Sequence, residues 1–223
     1  MRLIIDDADI REIKRLYELY PIDGVTTNPS ILAQTGRKPY EVLGEIRDFL
    51  GADGELHAQA ISRKSDDIVR EAEYIVSRLG RATYIKIPAV PEGIRAIKEL
   101  SRVGYRTTAT AVYTPMQAFM AAKAGASCVA PYVNRIDNLG GSGVETVKAI
   151  QDILRNNGLN TKILAASFKN ARQVEELCRA GVDAATVSPS VIDALMKNAS
   201  VDDAVEKFIS DFEGLCGMGQ TML

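Results

Sequence analysis

The 223-residue chain has a single histidine, His57, and three cysteines, Cys128, Cys178 and Cys216, which lie far apart and form no CxxC pair. One histidine excludes an HExxH site, a multi-histidine zinc cluster and, unless His57 itself serves, a histidine-based triad. The odd, scattered cysteines argue for thiols in a reducing compartment, not for a disulfide framework or a thiolate metal site. Charge of one sign is also missing: 27 basic against 29 acidic residues give a net charge of -2, with no basic excess to neutralise phosphates. Nucleic acid is thereby excluded as a partner. No apolar run is long enough to cross a bilayer, and the first one, Leu3-Ile4-Ile5, gives way at once to Asp6 and Asp7. The protein is read as cytoplasmic, without a membrane partner. Carbonyl activation in such a chain falls to lysine, because the residues for zinc are absent.

What is present is ordinary for a folded protein, with 46% apolar and 25% charged residues, and it is strongly patterned. Short apolar strands are expected at 3–5, 24–27, 56–60, 84–88, 107–112, 128–132, 162–166 and 184–187. Helical periodicity follows each of them. Start signals mark several helices: Asp9 with Glu12, Ser65 with Asp66 and Asp67, Thr114-Pro115 with Gln117, Gly140 to Gly143, Asn170 with Gln173, and Ser188-Pro189. Eight strands alternating with eight helices predict parallel connections and an α/β fold, a (β/α)₈ TIM barrel forming one domain over 1–223; an open doubly wound sheet is the alternative. Beyond the eighth unit, residues 200–223 hold a further helix, capped at Ser200, and a tail. Its apolar face, Ala204, Val205, Phe208, Ile209 and Phe212, either covers the barrel bottom or packs on a neighbouring subunit.

The fourth strand, Tyr84-Ile85-Lys86-Ile87-Pro88, puts a lysine in an apolar run. Burial disfavours the ammonium, and a neutral amine can attack a carbonyl. The same lysine can instead snorkel or meet a buried carboxylate. Chemistry in a barrel sits at the C-terminal strand ends, and these ends carry Asp6, Thr26, Asn28, Gln59, Lys86, Thr110, Tyr132, Asn134, Arg135 and Ser167. Singly, each has a plain structural role: Asp6 as a loop cap, Thr110 as a strand residue, Asn134-Arg135-Asp137 as a surface ion pair. Their coincidence points to a small hydroxyl-rich substrate. The Gly140 to Gly143 stretch lacks any GxGxxG or Walker pattern and reads as a turn. His57 is taken as structural, pointing toward the helix layer.

Five motifs complete the picture: Gly24-Val25-Thr26-Thr27-Asn28-Pro29-Ser30, the lysine strand, Thr110-Ala111-Val112-Tyr113, Ala130-Pro131-Tyr132-Val133-Asn134-Arg135-Ile136-Asp137 and Leu164-Ala165-Ala166-Ser167-Phe168-Lys169. In this order they resemble the small transaldolase family, most closely its fructose-6-phosphate aldolase branch, over 3–212. The resemblance implies a cofactor-free class I aldolase in which Lys86 forms a Schiff base with a ketose or dihydroxyacetone. It makes Tyr132 the general acid/base, with a water held by Gln59 and Thr110. Asp6, Asn28 and Ser167, with Thr26 beside them, would bind the dihydroxyacetone part, and Arg135 with Ser167 the aldehyde's phosphate. The family also implies a ring-like homo-oligomer, such as a decamer, in which the last helix meets a neighbour. Gln59 and Tyr132 match the aldolase branch, whereas transaldolases of the family carry glutamate and phenylalanine there. Asp7-Ala8 departs from the threonine expected after Asp6, and an inward-facing Asp7 would weaken the binding of phosphorylated substrates. Three functions follow: cleavage of fructose 6-phosphate to dihydroxyacetone and glyceraldehyde 3-phosphate, transaldolase transfer of the three-carbon unit, and a non-catalytic sugar-phosphate-binding barrel.

Overall fold

A computed structural model describes residues 1–223. Eight parallel strands close into a barrel in sequence order, β1 (Arg2–Asp6), β2 (Gly24–Thr26), β3 (Glu55–Gln59), β4 (Tyr84–Pro88), β5 (Thr107–Val112), β6 (Cys128–Pro131), β7 (Lys162–Ala165) and β8 (Ala184–Val187), with β8 pairing back onto β1. The helices are α1 (Ile10–Leu19), α2 (Pro29–Gln34), α3 (Pro39–Leu50), α4 (Ser65–Leu79), α5 (Pro91–Arg102), α6 (Pro115–Lys123), α7 (Val133–Asn138), α8 (Gly143–Asn156), α9 (Ala171–Arg179), α10 (Pro189–Met196) and α11 (Ala199–Cys216). The short α2 and α7, each directly after a strand end, were not anticipated; six residues are too few for a helical period to emerge.

Alternation along each strand separates two environments. Outward-facing Ile5, Val25, Leu56, Ile85, Ile87 and Val187 pack under the helices in an apolar cluster of 44 buried residues. Inside the barrel a small apolar cluster is formed by Ile4, Cys128, Leu164 and Ala184, with Tyr84 against them. Polar side chains fill much of the space beside it. Arg2 pairs with Glu55, Glu55 Oε1 lies 2.9 Å from His57 Nε2, and His57 Nδ1 lies 2.9 Å from Thr108 Oγ1. The His57 ring stacks on Tyr84 at 4.5 Å between centroids. His57 therefore points into the barrel and not toward the helices as expected: it stands two residues from Gln59, and a period of two puts both on one face.

Several caps also differ from expectation. Thr114 and Gln117 form the predicted capping box, and Asn170 caps α9. Ser65 does not cap α4; it is the first helical residue, and Glu92 of α5 accepts its N–H at 2.8 Å. Ser188 makes no cap bond on α10, and α11 is capped by Asn198, whose side chain accepts from the Ser200 N–H. No residue of α11 is buried, and Phe208 is 68% exposed, so its apolar face does not close the barrel bottom. The turn before α8 is structural. Asp137 Oδ1 accepts the Gly143 N–H at 2.6 Å, and a Cβ at Gly143 would stand 2.2 Å from the Val133 carbonyl oxygen. The alternative of a surface ion pair between Asp137 and Arg135 is not realised; the Asp137 carboxylate is engaged here and accepts from Gln173 Nε2 at 2.7 Å.

Candidate active site

The register brings the predicted residues to one mouth. Asp6 pairs with Thr26, Gln59 with Lys86, and Pro88 with Thr110. Lys86 is 5% exposed, and its Nζ donates to the Thr27 carbonyl at 2.7 Å. Burial pushes the amine below the ordinary lysine range, and the Asp6 charge opposes the shift only partly. Asp6 moves the other way. Burial raises its carboxyl, against the Lys86 charge and a 2.7 Å hydrogen bond donated by Thr26 Oγ1. Since Thr26 gives its hydrogen to Asp6, Thr186 Oγ1, 2.6 Å away, must donate to Thr26.

On the opposite side of the mouth Thr110 Oγ1 and Tyr132 Oη are 3.0 Å apart. Two backbone features hold this side in place. In β5 the register shifts between Ala109 and Val112, and Ala111 has φ +55°. A β-bulge of this kind re-aims the side chains at a strand end. Ser167 has φ +61°, and its carbonyl accepts the Asn134 N–H at 2.8 Å. Tyr132 follows β6 and packs edge-on against Tyr113 at 5.7 Å. The exposed Arg135 guanidinium lies 4.7 Å from the centre of the Tyr132 ring.

Two predicted residues differ in detail. The Asn28 side chain is not simply aimed outward, because its Oδ1 caps α2, accepting from the N–H groups of Ser30 and Ile31 at 3.0 Å each. Only its amide nitrogen is left for a ligand. Gln59 is half-buried and is bonded directly to neither Thr110 nor Tyr132. Asp7, flagged as a possible intruder, is tied locally, with Oδ1 accepting from Ala8 and Asp9 N–H at 2.6 and 2.8 Å. It lines an outer groove of about 630 Å³ beside Arg11, Gln34 and Arg37 that does not include Lys86. Two contributors escaped sequence reading. The Thr27 contact is a backbone carbonyl, which residue type cannot signal, and Thr186 reads as any β-branched strand residue.

No three His, Cys, Asp or Glu side chains cluster where they could hold a metal ion, and no helix is long and apolar enough to cross a membrane. A closed barrel with a buried lysine, a carboxylate and a phenol at its strand ends defines an aldolase-type barrel enzyme. The family model described as "Transaldolase/Fructose-6-phosphate aldolase" matches residues 3–219, and the chain belongs to that family. It is 41% identical to a "Probable transaldolase" of Thermodesulfovibrio yellowstonii, over 96% of this chain and 99% of that one. A "Probable transaldolase" of Geotalea daltonii is 40% identical over 96% and 98% of the two chains. That of Geotalea uraniireducens gives the same figures.

Proposed function

We propose that the protein is a class I aldolase that reversibly cleaves fructose 6-phosphate to dihydroxyacetone and glyceraldehyde 3-phosphate. The observation that carries this reading is the placement of a phenol, Tyr132, hydrogen-bonded to Thr110 at the same mouth as buried Lys86. The Lys86 nitrogen bonds the ketone carbon and water leaves, giving an iminium. Tyr132, with a water held by Gln59 and Thr110, removes the proton of the C4 hydroxyl. The bond between C3 and C4 then breaks, its electrons pass to the iminium, and the aldehyde departs. Protonation of the enamine and hydrolysis free dihydroxyacetone. Asp6, Thr26, Asn28 and Ser167 hold the three-carbon part, and Arg135 with Ser167 holds the phosphate, a task suited to a guanidinium. The lysine itself is the electron sink, so no cofactor is called for.

A second reading follows the names of the relatives: the three-carbon unit passes to an acceptor sugar phosphate as in a transaldolase. The deciding experiment supplies fructose 6-phosphate with no acceptor and assays free dihydroxyacetone. Sustained release supports the aldolase; no free dihydroxyacetone, with one enzyme equivalent of glyceraldehyde 3-phosphate released and turnover to a new ketose phosphate once an acceptor aldose phosphate is added, supports the transferase. A binding-only barrel would show neither. We further place the exposed apolar face of α11 between copies of the chain in a ring-like homo-oligomer, such as a decamer. A reducing, cytoplasmic setting suits the three free cysteines.

A further inference from the structure

Thr27 follows the last residue of β2 and is fully buried. Its backbone N–H and its Oγ1 both donate to one acceptor, the His57 carbonyl of β3, at 3.0 and 3.1 Å. On the other side of the next peptide, Asn28 is fixed by its cap on α2. The peptide between Thr27 and Asn28 is thus clamped at both ends, and its carbonyl accepts from Lys86 Nζ at 2.7 Å. The titratable groups facing that nitrogen are Asp6 on β1 and His57 on β3, with Arg135 of α7 beyond Asp6.

We propose that Thr27 is a positioning residue for Lys86, its clamped carbonyl holding the nitrogen's hydrogen both before and after condensation and so fixing the plane of the C=N bond relative to Tyr132. The inference rests on the Schiff-base reading of Lys86. In condensation Lys86 first gives up one proton; the neutral amine then bonds the ketone carbon, and the ketone oxygen departs as water with that proton and one of the two hydrogens left on nitrogen. The iminium keeps the last hydrogen and carries the positive charge. That hydrogen lies in the plane of the C=N bond, so one fixed acceptor sets how the plane is turned about the Cε–Nζ bond. A charge-assisted hydrogen bond in a dry site also stabilises the cation that receives the electrons of the breaking bond.

The test compares Thr27→Val, which keeps the shape but removes the hydroxyl, with Thr27→Ser, which restores it. Each is read by borohydride trapping of a dihydroxyacetone adduct across pH and by kcat and KM. Thr27→Val is expected to slow trapping and kcat by ~10-fold, the loss of about one hydrogen bond's worth of positioning, with KM little changed. Its trapping midpoint moves to lower pH, because the carbonyl that accepts from the ammonium is held less firmly. Thr27→Ser recovers most of the rate and the midpoint. Should the valine variant not fold by circular dichroism, Thr27→Ala against Thr27→Ser makes the same comparison. Trapping by Thr27→Val at the wild-type rate and midpoint, or a serine variant as slow as the valine one, overturns the inference while leaving Lys86 as nucleophile. A wild-type chain that forms no adduct overturns the Schiff-base reading and this inference with it.

Discussion

Thr110 Oγ1 and Tyr132 Oη stand 3.0 Å apart on one side of the barrel mouth, and Thr110 pairs in register with Pro88, two residues past Lys86 on the same strand. A phenol held in this way can move a proton at a substrate hydroxyl. Tyr132→Phe is therefore expected to lower cleavage by ~10²-fold or more, in line with general acid/base contributions, while the adduct on Lys86 still forms. Steady-state turnover beside borohydride trapping checks this, and unchanged turnover would take proton transfer away from Tyr132.

Lys86→Met is expected to abolish the adduct and to raise the unfolding free energy by about 1 kcal/mol, as removal of a functionally placed buried polar group commonly does. Lys86 carries a pKa depressed first by burial, so the folded chain tolerates its charge poorly. Peptide mapping locates the adduct and equilibrium denaturation gives the stability. A fall in stability would mean that the attraction between Lys86 and Asp6 outweighs the burial cost.

Acid should weaken the fold through His57. Burial, only partly opposed by Glu55, holds the imidazole below its ordinary value of 6.5. Under pH ~6.5 the unfolded chain takes up a proton that the folded chain refuses, so stability that is full above this pH declines as pH falls. Burial pulls Glu55 upward, but His57 and Arg2 outweigh it and leave the carboxyl below its ordinary value, which extends the loss through the carboxylate range. Urea midpoints measured from pH 7 to 5 check the slope. Because His57 is the only histidine, its single imidazole NMR signal reports directly; a signal that titrates in the folded protein near pH 6.5 would contradict this assignment.

Arg135→Ala is expected to raise KM for fructose 6-phosphate by ~10-fold or more, the scale of one charge-assisted hydrogen bond, and to leave trapping with unphosphorylated dihydroxyacetone nearly as fast. Equal losses with both compounds would relocate the phosphate site.

Removal of residues 199–223 should leave the barrel's circular dichroism intact apart from one helix and reduce the number of subunits per particle, obtained by light scattering from the particle mass divided by the truncated chain's mass. The helix has no buried residue to contribute to the barrel core, and a truncated chain that keeps the native number of subunits would remove α11 from the subunit contacts.

The alternation of apolar strands and helices was legible because each strand's period of two and each helix's stripe point to the same two layers. Strand-end side chains such as Lys86, Gln59 and Tyr132 could be listed once the strands were placed. What stayed hidden depends on three dimensions. The reach of Glu92 to the start of α4 spans 27 residues of sequence, and the Thr27 carbonyl belongs to the backbone. The interior chain of Arg2, Glu55, His57 and Thr108 was obscured by misjudging the phase of one residue on β3. The Asn28 cap went unseen because α2 is too short to show a period.

Ala111 and Ser167, both with positive φ, sit in a backbone region that costs an ordinary L-residue ~1–2 kcal/mol. Glycine would occupy either position freely, so a screen that selected only for survival on heating would favour Ala111→Gly and Ser167→Gly. Catalysis would select against both: Ser167→Gly discards a hydroxyl at the mouth, and Ala111→Gly loosens the turn that aims Thr110. These two positions mark where endurance and turnover compete for the same residue, and sequencing the survivors of a heat selection beside those of an activity selection would show the two lineages parting there.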